Sequence, residues 1–396
     1  MWCKKQLVWV LLVTVGSVLS RLSLGHAGQL VLPLVGPQDA SLSGNAVALP
    51  LNPASALFHN PAQLTLLPDS ATFGLLAARF EFKYANLQTG YDNTSRELPL
   101  APSLGYVHRF GRFSVGIGLY GAIGFTYNLE PEPEHGIPNN LYTELGVMSL
   151  APAIAYSLTP NLHLGFEINP SYGRSRLKAP SPFGRLDVDM RGPGVFGMVG
   201  LFYTPTPKLS LGIGYKTPGV IWMRGNARIG GQGDDAHLDF QLPQNLAFGL
   251  AYRVTDRLAV TVQGRWVEFS AFEDSRVEFD EHTELNQAAA QDAWDRFRWG
   301  GGVQYVLLPG VTVHLGFSWE QWAIEVASLS PTLPDLTEYL FGFGVNVQRG
   351  LWDIHLSGNY AYVESRRVSP ARNPFFSGHY EINPFIIGLQ VTRRFE

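Results

Sequence analysis

The chain has 396 residues, of which only 16% are charged while 12% are aromatic and 42 are glycine. A soluble domain carries about a quarter charged residues, so this composition favours a barrel whose lipid-facing and lumen-facing side chains alternate. The formal net charge of −4 provides no basic surface for nucleic acid, and the single cysteine, Cys3, excludes disulfide scaffolds and cysteine metal sites.

Residues 1–27 have the pattern of a secretory signal peptide. Lys4 and Lys5 precede an apolar run from Leu7 to Leu19, and the small-x-small triplet that ends at Ala27 marks a cleavage site. This run is shorter than the roughly 20 residues that a spanning helix needs, and no later apolar run is longer. The sequence therefore predicts an exported protein that is not a helical bundle.

Residues 28–68 show no clear periodicity, and a segment of this length is long for a leader that packs against nothing. Small residues dominate Gly44 to Ala48 and Pro53 to Ala62, and they suit close packing inside a lumen. Asn60-Pro61 marks a turn because proline fixes φ and has no amide donor, and a generic turn is the plain interpretation of this pair. We expect these residues to form a small hatch.

Residues 69–396 contain roughly fourteen segments of strand length, as spanning strands require. Tight connectors such as Phe110 to Arg112 and Thr255 to Arg257 alternate with longer polar ones such as Asn128 to Glu144 and Arg224 to His237. The fold expected is all-β: an antiparallel transmembrane barrel of about 14 strands, plugged by the hatch. The short turns and both termini are expected in the periplasm of a bacterial outer membrane.

Apolar and polar side chains alternate most clearly in three predicted strands. In the first of them, Val260 and Val262 would face lipid while Thr261, Gln263 and Arg265 face the lumen. A half-buried sheet of a soluble protein alternates in the same way, so the assignment depends on the whole set of strands. The candidates for aromatic girdles at the membrane surfaces are Trp222, Trp266, Trp299, Trp319 and Trp352.

The ordered spacing of these features resembles the FadL/TodX family of outer-membrane transporters of long-chain fatty acids and aromatic hydrocarbons. The resemblance begins at Asn60-Pro61-Ala62, and it continues through Leu242 to Gly249 and the strand end Trp266 to Ser270. It also includes Trp294-Asp295 before Gly300 to Gly302, and Pro334-Asp335 before Gly342 to Gly344.

The sequence also departs from the family pattern. Gln63 stands where glycine is frequent, the stretch from Pro50 to Pro53 replaces an acidic one, and the connector from Arg174 to Leu186 is short.

The resemblance implies passive transport of small hydrophobic molecules. The hatch would gate at Asn60, Pro61 and Ala62, and the solute would leave through a lateral opening beside a kinked third strand. The implied partners are the hydrophobic ligand, outer-membrane lipid including lipopolysaccharide, and the barrel-assembly machinery, which would read the aromatic end of the last strand at Phe395. No cofactor and no metal are implied.

Candidate ligand-pathway residues lie on the predicted inner face of strand three, from Phe113 to Tyr127. Regular alternation places Gly116, Gly118, Tyr120, Ala122, Gly124 and Thr126 there, and the missing side chains leave room for a ligand or a bend, although glycine also serves strand curvature. Further predicted lumen residues that would meet a carboxylate, or belong to a polar network, are Arg265, His314 and His355.

Three other functions compete with transport. No G-x-S-x-G, G-x-x-x-x-G-K-[ST] or H-E-x-x-H pattern indicates an enzyme, although the triad of an outer-membrane lipase or acyltransferase can assemble across strands. A docking subunit for secreted proteins with the same barrel would need larger mobile loops. A general porin would need more charges lining its lumen.

Overall fold

The computed structural model describes residues 34–135, 137, 140–288, 292–374 and 376–396. The predicted signal peptide and the first residues assigned to the hatch lie outside these ranges. The hatch described here begins with helix α1 (Pro37–Ala40), followed by helix α2 (Pro53–His59) and a 3-10 helix (Pro61–Leu66). Asparagine begins both of the last two helices: the Asn52 side chain accepts from the amide of Ser55, and the Asn60 side chain accepts from the amide of Ala62.

Fourteen antiparallel strands form a closed barrel around this segment, which confirms the predicted fold class and strand count. The strands are β1 (Ser70–Ala85), β2 (Asp92–Glu97 and Leu100–Phe110), β3 (Phe113–Leu129), β4 (Leu141–Leu150 and Ala153–Thr159), β5 (Leu162–Ser181), β6 (Gly184–Thr206), β7 (Leu209–Lys216 and Gly219–Ile229), β8 (Gln232–Leu242 and Asn245–Arg253), β9 (Leu258–Val267), β10 (Arg296–Leu308), β11 (Val311–Glu320), β12 (Glu338–Arg349), β13 (Trp352–Val363) and β14 (Gly378–Arg394).

The barrel closes where β1 pairs with β14, from Ser70 opposite Arg394 to Ala85 opposite His379. Closure leaves no free sheet edge in the part of the barrel wall that the structure describes, as a lipid environment requires. Short strands outside the barrel wall are Arg276–Phe279, Gln287–Ala288 and Arg366–Val368, and short 3-10 helices of the loops are Pro133–His135, Phe269–Asp274, Thr283–Leu285 and Val326–Ser328. None of the helices in the described ranges is long and apolar enough to cross a membrane.

Side chains alternate between the lumen and the outside as predicted. Val262 is 54% exposed on the outer surface, whereas its neighbours Thr261 and Gln263 are buried. Leu315 and Leu356 on the later strands are likewise exposed beside the buried His314 and His355. The outer surface is therefore a belt of exposed apolar residues.

The two ends of the barrel differ, and we call them the turn end and the loop end. The connectors at Gly111, Gly310 and Gly350 belong to the turn end, and all three glycines have positive φ angles. One predicted loop is absent: the segment from Arg224 to His237 forms two paired strands joined at Gly230 and Gly231, which both have positive φ as a tight hairpin requires.

Strand β3 departs from regular alternation at a bulge between Gly121 and Ile123. Ile123 and Phe125 follow the bulge and are buried in the main hydrophobic cluster of the lumen. Because one additional residue reverses the phase of a strand, Gly124 and Thr126 lie on the opposite face from these two residues. The inner-face assignment of Gly124 and Thr126 from uniform alternation is corrected accordingly.

Candidate functional site

The hatch lies directly against the barrel wall at positions occupied by glycine. A Cβ added to Gly165 would lie 2.3 Å from the amide nitrogen of Ala62, and one added to Gly200 would lie 2.1 Å from Asn60 Oδ1. A Cβ added to Gly214 would lie 2.0 Å from the carbonyl oxygen of His59. These glycines belong to β5, β6 and β7, and we call them the glycine seat. The hatch backbone can lie this close to the wall only because the wall has no side chains at these positions.

Asn60 joins the hatch to this seat. Its Nδ2 donates to the carbonyl of Leu201 on β6 at 2.9 Å and to the carbonyl of Val47 in the hatch at 3.1 Å, while its Oδ1 accepts from Ala62. Gln63 donates to the carbonyls of Ala46 and Val47. The predicted gating residues Asn60, Pro61 and Ala62 thus lie at the point where the hatch meets the wall.

A second link runs from the hatch to β9 through three buried ionisable groups, which we call the hatch relay. His59 Nε2 lies 2.8 Å from Asp39 Oδ1, and His59 Nδ1 lies 2.9 Å from Arg265 Nη2. Because Arg265 can only donate, Nδ1 of His59 accepts and Nε2 carries the proton that binds Asp39. Burial lowers the pKa of His59, against the attraction of Asp39, which agrees with a neutral ring.

The relay borders a cavity that we call the inner pocket. Its apolar lining includes Phe58 of the hatch, Ala122 and Ile123 at the β3 bulge, and other wall residues; its cationic lining is Lys216 and Arg265. Lys216 Nζ lies 3.7 Å from the centre of the Phe58 ring. In the part of the chain that the structure describes, no carboxylate oxygen lies within 4.0 Å of Lys216 Nζ.

Tyr120 lies beside the inner pocket, at the level of Phe58. The two rings meet edge to face at 5.2 Å, and the Tyr120 hydroxyl lies 2.8 Å from Asn169 Oδ1 and 3.2 Å from Glu167 Oε1. Glu167 is the carboxylate of β5 that attracts Lys216 across this space. Tyr120 and Arg265, which the sequence analysis proposed separately, are therefore brought together around Phe58.

The loop end of the lumen holds a larger apolar cluster. Phe80 and Phe82 of β1, Tyr127 of β3 and Phe269 and Phe272 of the β9–β10 loop are all buried there. This cluster lines a second cavity, the outer pocket, whose lining residues include Phe80, Phe125, Tyr127, Phe269 and Leu336. Phe125 and Ile123, two residues apart on β3, border the outer and the inner pocket respectively.

A buried ion network fixes the loops above the hatch. Glu320 on β11 accepts from Arg296 at 2.7 Å and from Arg298 at 2.8 Å. Arg296 also pairs with Asp335, and Arg298 donates to the carbonyl of Ser43 in the hatch at 3.1 Å. The hatch is thereby tied to the loop end as well as to the glycine seat.

Three predicted pathway residues lie elsewhere. Leu57 of the hatch fills the space at Gly118, where an added Cβ would lie 2.6 Å from Leu57 Cδ1. Glycine at this position therefore makes room for the hatch. His314 and His355 contact each other, with ring centres 5.1 Å apart, and an added Cβ on Gly344 between them would touch both His355 and Ser41 of the hatch. The two histidines belong to the polar interior beneath α1.

Sequence reasoning missed Lys216, Glu167 and Phe58. Glu167 and Lys216 each stand two residues after an inward glycine, Gly165 and Gly214, and a charge at such an inward position is a usable signal for a lumen site. Phe58 carried no such signal, because an aromatic residue in a short helix usually belongs to a core.

The geometry defines a plugged outer-membrane barrel, and comparison with known proteins gives its family. The family model described as outer membrane protein transport protein (OMPP1/FadL/TodX) matches residues 38–395. The chain belongs to this family, which consists of outer-membrane transport channels rather than enzymes. A search of the curated proteins finds no match.

Solved structures of the same fold include a Pseudomonas aeruginosa FadL homologue, with 15% identity and a TM-score of 0.83 over 93% of this chain and 100% of that chain. The Pseudomonas putida toluene transporter TodX has 18% identity and a TM-score of 0.76 over 92% of this chain and 99% of that one. The Ralstonia pickettii toluene transporter TbuX has 18% identity and a TM-score of 0.74 over the same shares.

Proposed function

We propose that the protein carries small hydrophobic molecules passively across the outer membrane, with its loop end outside and both termini in the periplasm. The observation that carries the proposal is the inner pocket, an apolar cavity that touches both the hatch at Phe58 and the barrel wall at the Ala122–Ile123 bulge. An apolar cavity with a few polar groups is the usual form of a small-molecule site. The inner pocket has a volume of about 30 Å³ in this structure, so a hydrophobic ligand fits only when the hatch moves.

The route would run from the outer pocket to the inner pocket. The apolar cluster at the loop end gives a hydrophobic solute a favourable environment, which a water-filled pore does not. The bulge on β3 shifts the pairing with β4 beside the inner pocket, and we propose it as the lateral exit.

For the substrate we propose a hydrophobe with a carboxylate, such as a long-chain fatty acid, over a neutral aromatic hydrocarbon. Arg265 is buried and Lys216 is half-buried, and among the described residues Lys216 contacts aromatic rings and is attracted from further away by Glu167 and Asp39. A buried charge without a close counter-ion costs several kcal/mol, which a carboxylate bound between the two cations would offset. Toluene, the compound named for TodX and TbuX, offers no such charge.

The hatch relay would convert that binding into gating. A carboxylate that accepts from Arg265, whose Nε has no partner in the described part of the chain, would turn the guanidinium away from His59 and weaken the hydrogen bond from Nη2. Release of His59 would free the residue next to Asn60, Pro61 and Ala62 and shift the hatch from its glycine seat. Transport requires no nucleotide in this mechanism.

The experiment measures uptake of a labelled long-chain fatty acid and of labelled toluene in a bacterial host that lacks its own fatty-acid channel. It compares the intact protein with Lys216→Met and with an Asn60→Ala, Pro61→Ala double variant at matched surface expression. We expect uptake of the fatty acid, at least tenfold less for Lys216→Met, and altered uptake for the hatch variant.

Two results would contradict the proposal. Toluene uptake that is insensitive to Lys216→Met, without fatty-acid uptake, would assign the neutral substrate. No uptake of either compound from a folded barrel would remove the transport function and favour the docking-subunit role.

A further inference from the structure

Three arginines stand side by side on the outer surface of the barrel, near the loop end. Arg174 on β5 is directly opposite Arg191 on β6, and Arg191 is directly opposite Arg224 on β7. Their side chains point outward, because Met190 and Met223, the next residues on β6 and β7, are buried in the lumen. We call this set the arginine row.

The arginine row lies at the boundary of the apolar belt. The outward side chains of β6 include the exposed Tyr203 at the turn end, then Val199 and Val195, and finally Arg191. At ~3.3 Å per residue and a strand tilt of ~40°, the path from Tyr203 to Arg191 spans about 30 Å along the barrel axis. That distance equals the thickness of a hydrocarbon core.

Aromatic side chains mark the same boundary. Tyr172 on β5 and Trp222 on β7 are exposed on the outer surface, two residues nearer to the turn end than Arg174 and Arg224 respectively. Tyrosine and tryptophan favour the interface between hydrocarbon and headgroups. The arginine row therefore lies at the level of lipid headgroups, on rigid strands rather than on loops.

The charges of the arginine row are only partly compensated. Asp189 accepts from Arg174 at 2.8 Å, and Asp239 accepts from Arg224 at 2.6 Å. Arg191, in the middle, is exposed and has no carboxylate within 4.0 Å among the described residues. Like charges directly opposite each other destabilise a strand pair, so an additional anion between these side chains would stabilise the sheet.

We propose that the arginine row binds a phosphate group of lipid A, the anchor of lipopolysaccharide in the outer leaflet. A guanidinium donates two parallel hydrogen bonds to a phosphate, and Arg191 offers its whole donor set. Tyr172 and Trp222 would pack against the sugar and the first carbons of the acyl chains. This inference rests on the proposed orientation of the loop end toward the outside, but not on the transported substrate.

The first test is titration of the purified full-length protein, in detergent, with bisphosphorylated lipid A, with the bound lipid counted by native mass spectrometry. We expect Arg191→Gln to weaken binding at least tenfold, and dephosphorylated lipid A to bind the intact protein as weakly. The matched control is Arg257→Gln, which removes one exposed arginine at the turn end and should leave binding unchanged. Heat-modifiable migration on gels checks that each variant is a folded barrel.

Equal binding by Arg191→Gln and the intact protein, or equal binding of both forms of lipid A, would overturn the proposal. The orientation is tested separately with a cysteine introduced as Pro182→Cys at the tip of the β5–β6 hairpin. Labelling of this cysteine on intact cells is expected, and labelling only after permeabilisation would rule out lipopolysaccharide as the ligand. Fatty-acid uptake by Arg191→Gln should remain normal, so failure of transport and failure of lipid A binding are distinguishable.

Discussion

The two halves of the lumen are filled in different ways. At the turn end the hatch contacts glycines of the wall and is fixed by directed hydrogen bonds such as those of Asn60 to Leu201 and His59 to Arg265. At the loop end, aromatic side chains such as Phe269 and Phe272 pack against one another, beside the ion network of Arg296, Glu320 and Asp335. Directed contacts give a hatch with one defined seat, whereas apolar packing tolerates exchange of one hydrophobic group for another.

The largest expected effect comes from adding a single methyl group to the seat. Gly165→Ala places a Cβ 2.3 Å from the backbone nitrogen of Ala62, so the hatch must move away from the wall. We expect increased ion conductance of the barrel in planar bilayers and faster proteolysis of the hatch. Gly197→Ala on β6 is the control, because its Cβ would meet nothing closer than 3.5 Å. Equal conductance of the two variants would show that the seat does not hold the hatch closed.

A smaller effect is expected from pH through His59. Burial lowers the pKa of His59, so the unfolded hatch binds the proton as pH falls below about 6.5 while the seated hatch does not. The free energy that holds the hatch in the glycine seat is therefore fully present above this pH and decreases below it. Proteolysis of the hatch should be faster at pH 5.5 than at pH 7.5 in the intact protein. His59→Gln, compared at each pH, should lose this difference; a difference that persists would assign it to another group.

The smallest effect is expected at the loop end. Phe272→Leu keeps an apolar side chain in a cluster of similar side chains and should lower the free energy of unfolding by only about 1 kcal/mol. Fatty-acid uptake should stay within twofold of the intact protein. Denaturant unfolding in detergent and the uptake assay measure both quantities. If Phe272→Leu disturbed the protein as much as Gly165→Ala does, the packing at the loop end would be as specific as the packing of the hatch in the glycine seat.

Part of the hatch was predictable because its signal is local. Asn60-Pro61 begins a helical turn through the asparagine side chain and the fixed φ of proline, and both properties belong to the residues themselves. The partner of that turn was not predictable, since Leu201 lies in a strand far along the chain. The glycines of β5, β6 and β7 were visible in the sequence, but only the seated hatch shows what their missing side chains admit.

Strand β3 also has a feature that depends on its partner strand and could not be predicted from its own sequence. Period-two alternation correctly placed Gly118 and Tyr120 in the lumen, but the bulge at Gly121–Ile123 moved Gly124 to the other face. A bulge arises where two strands must twist around each other, and the pairing partner that forces it lies in another segment.

The sequence by itself determined the fold class, the strand count and the inward or outward direction of most side chains, because alternation and turn chemistry are properties of neighbouring residues. Only the tertiary structure brought Asp39, His59 and Arg265 into contact, and placed Arg265 with Lys216 in the lining of the inner pocket. Barrel closure determines which residues of distant strands lie at the same height along the barrel axis, and the hatch adds contacts between them. Such distances depend on strand register and on packing inside the lumen, which no local pattern encodes.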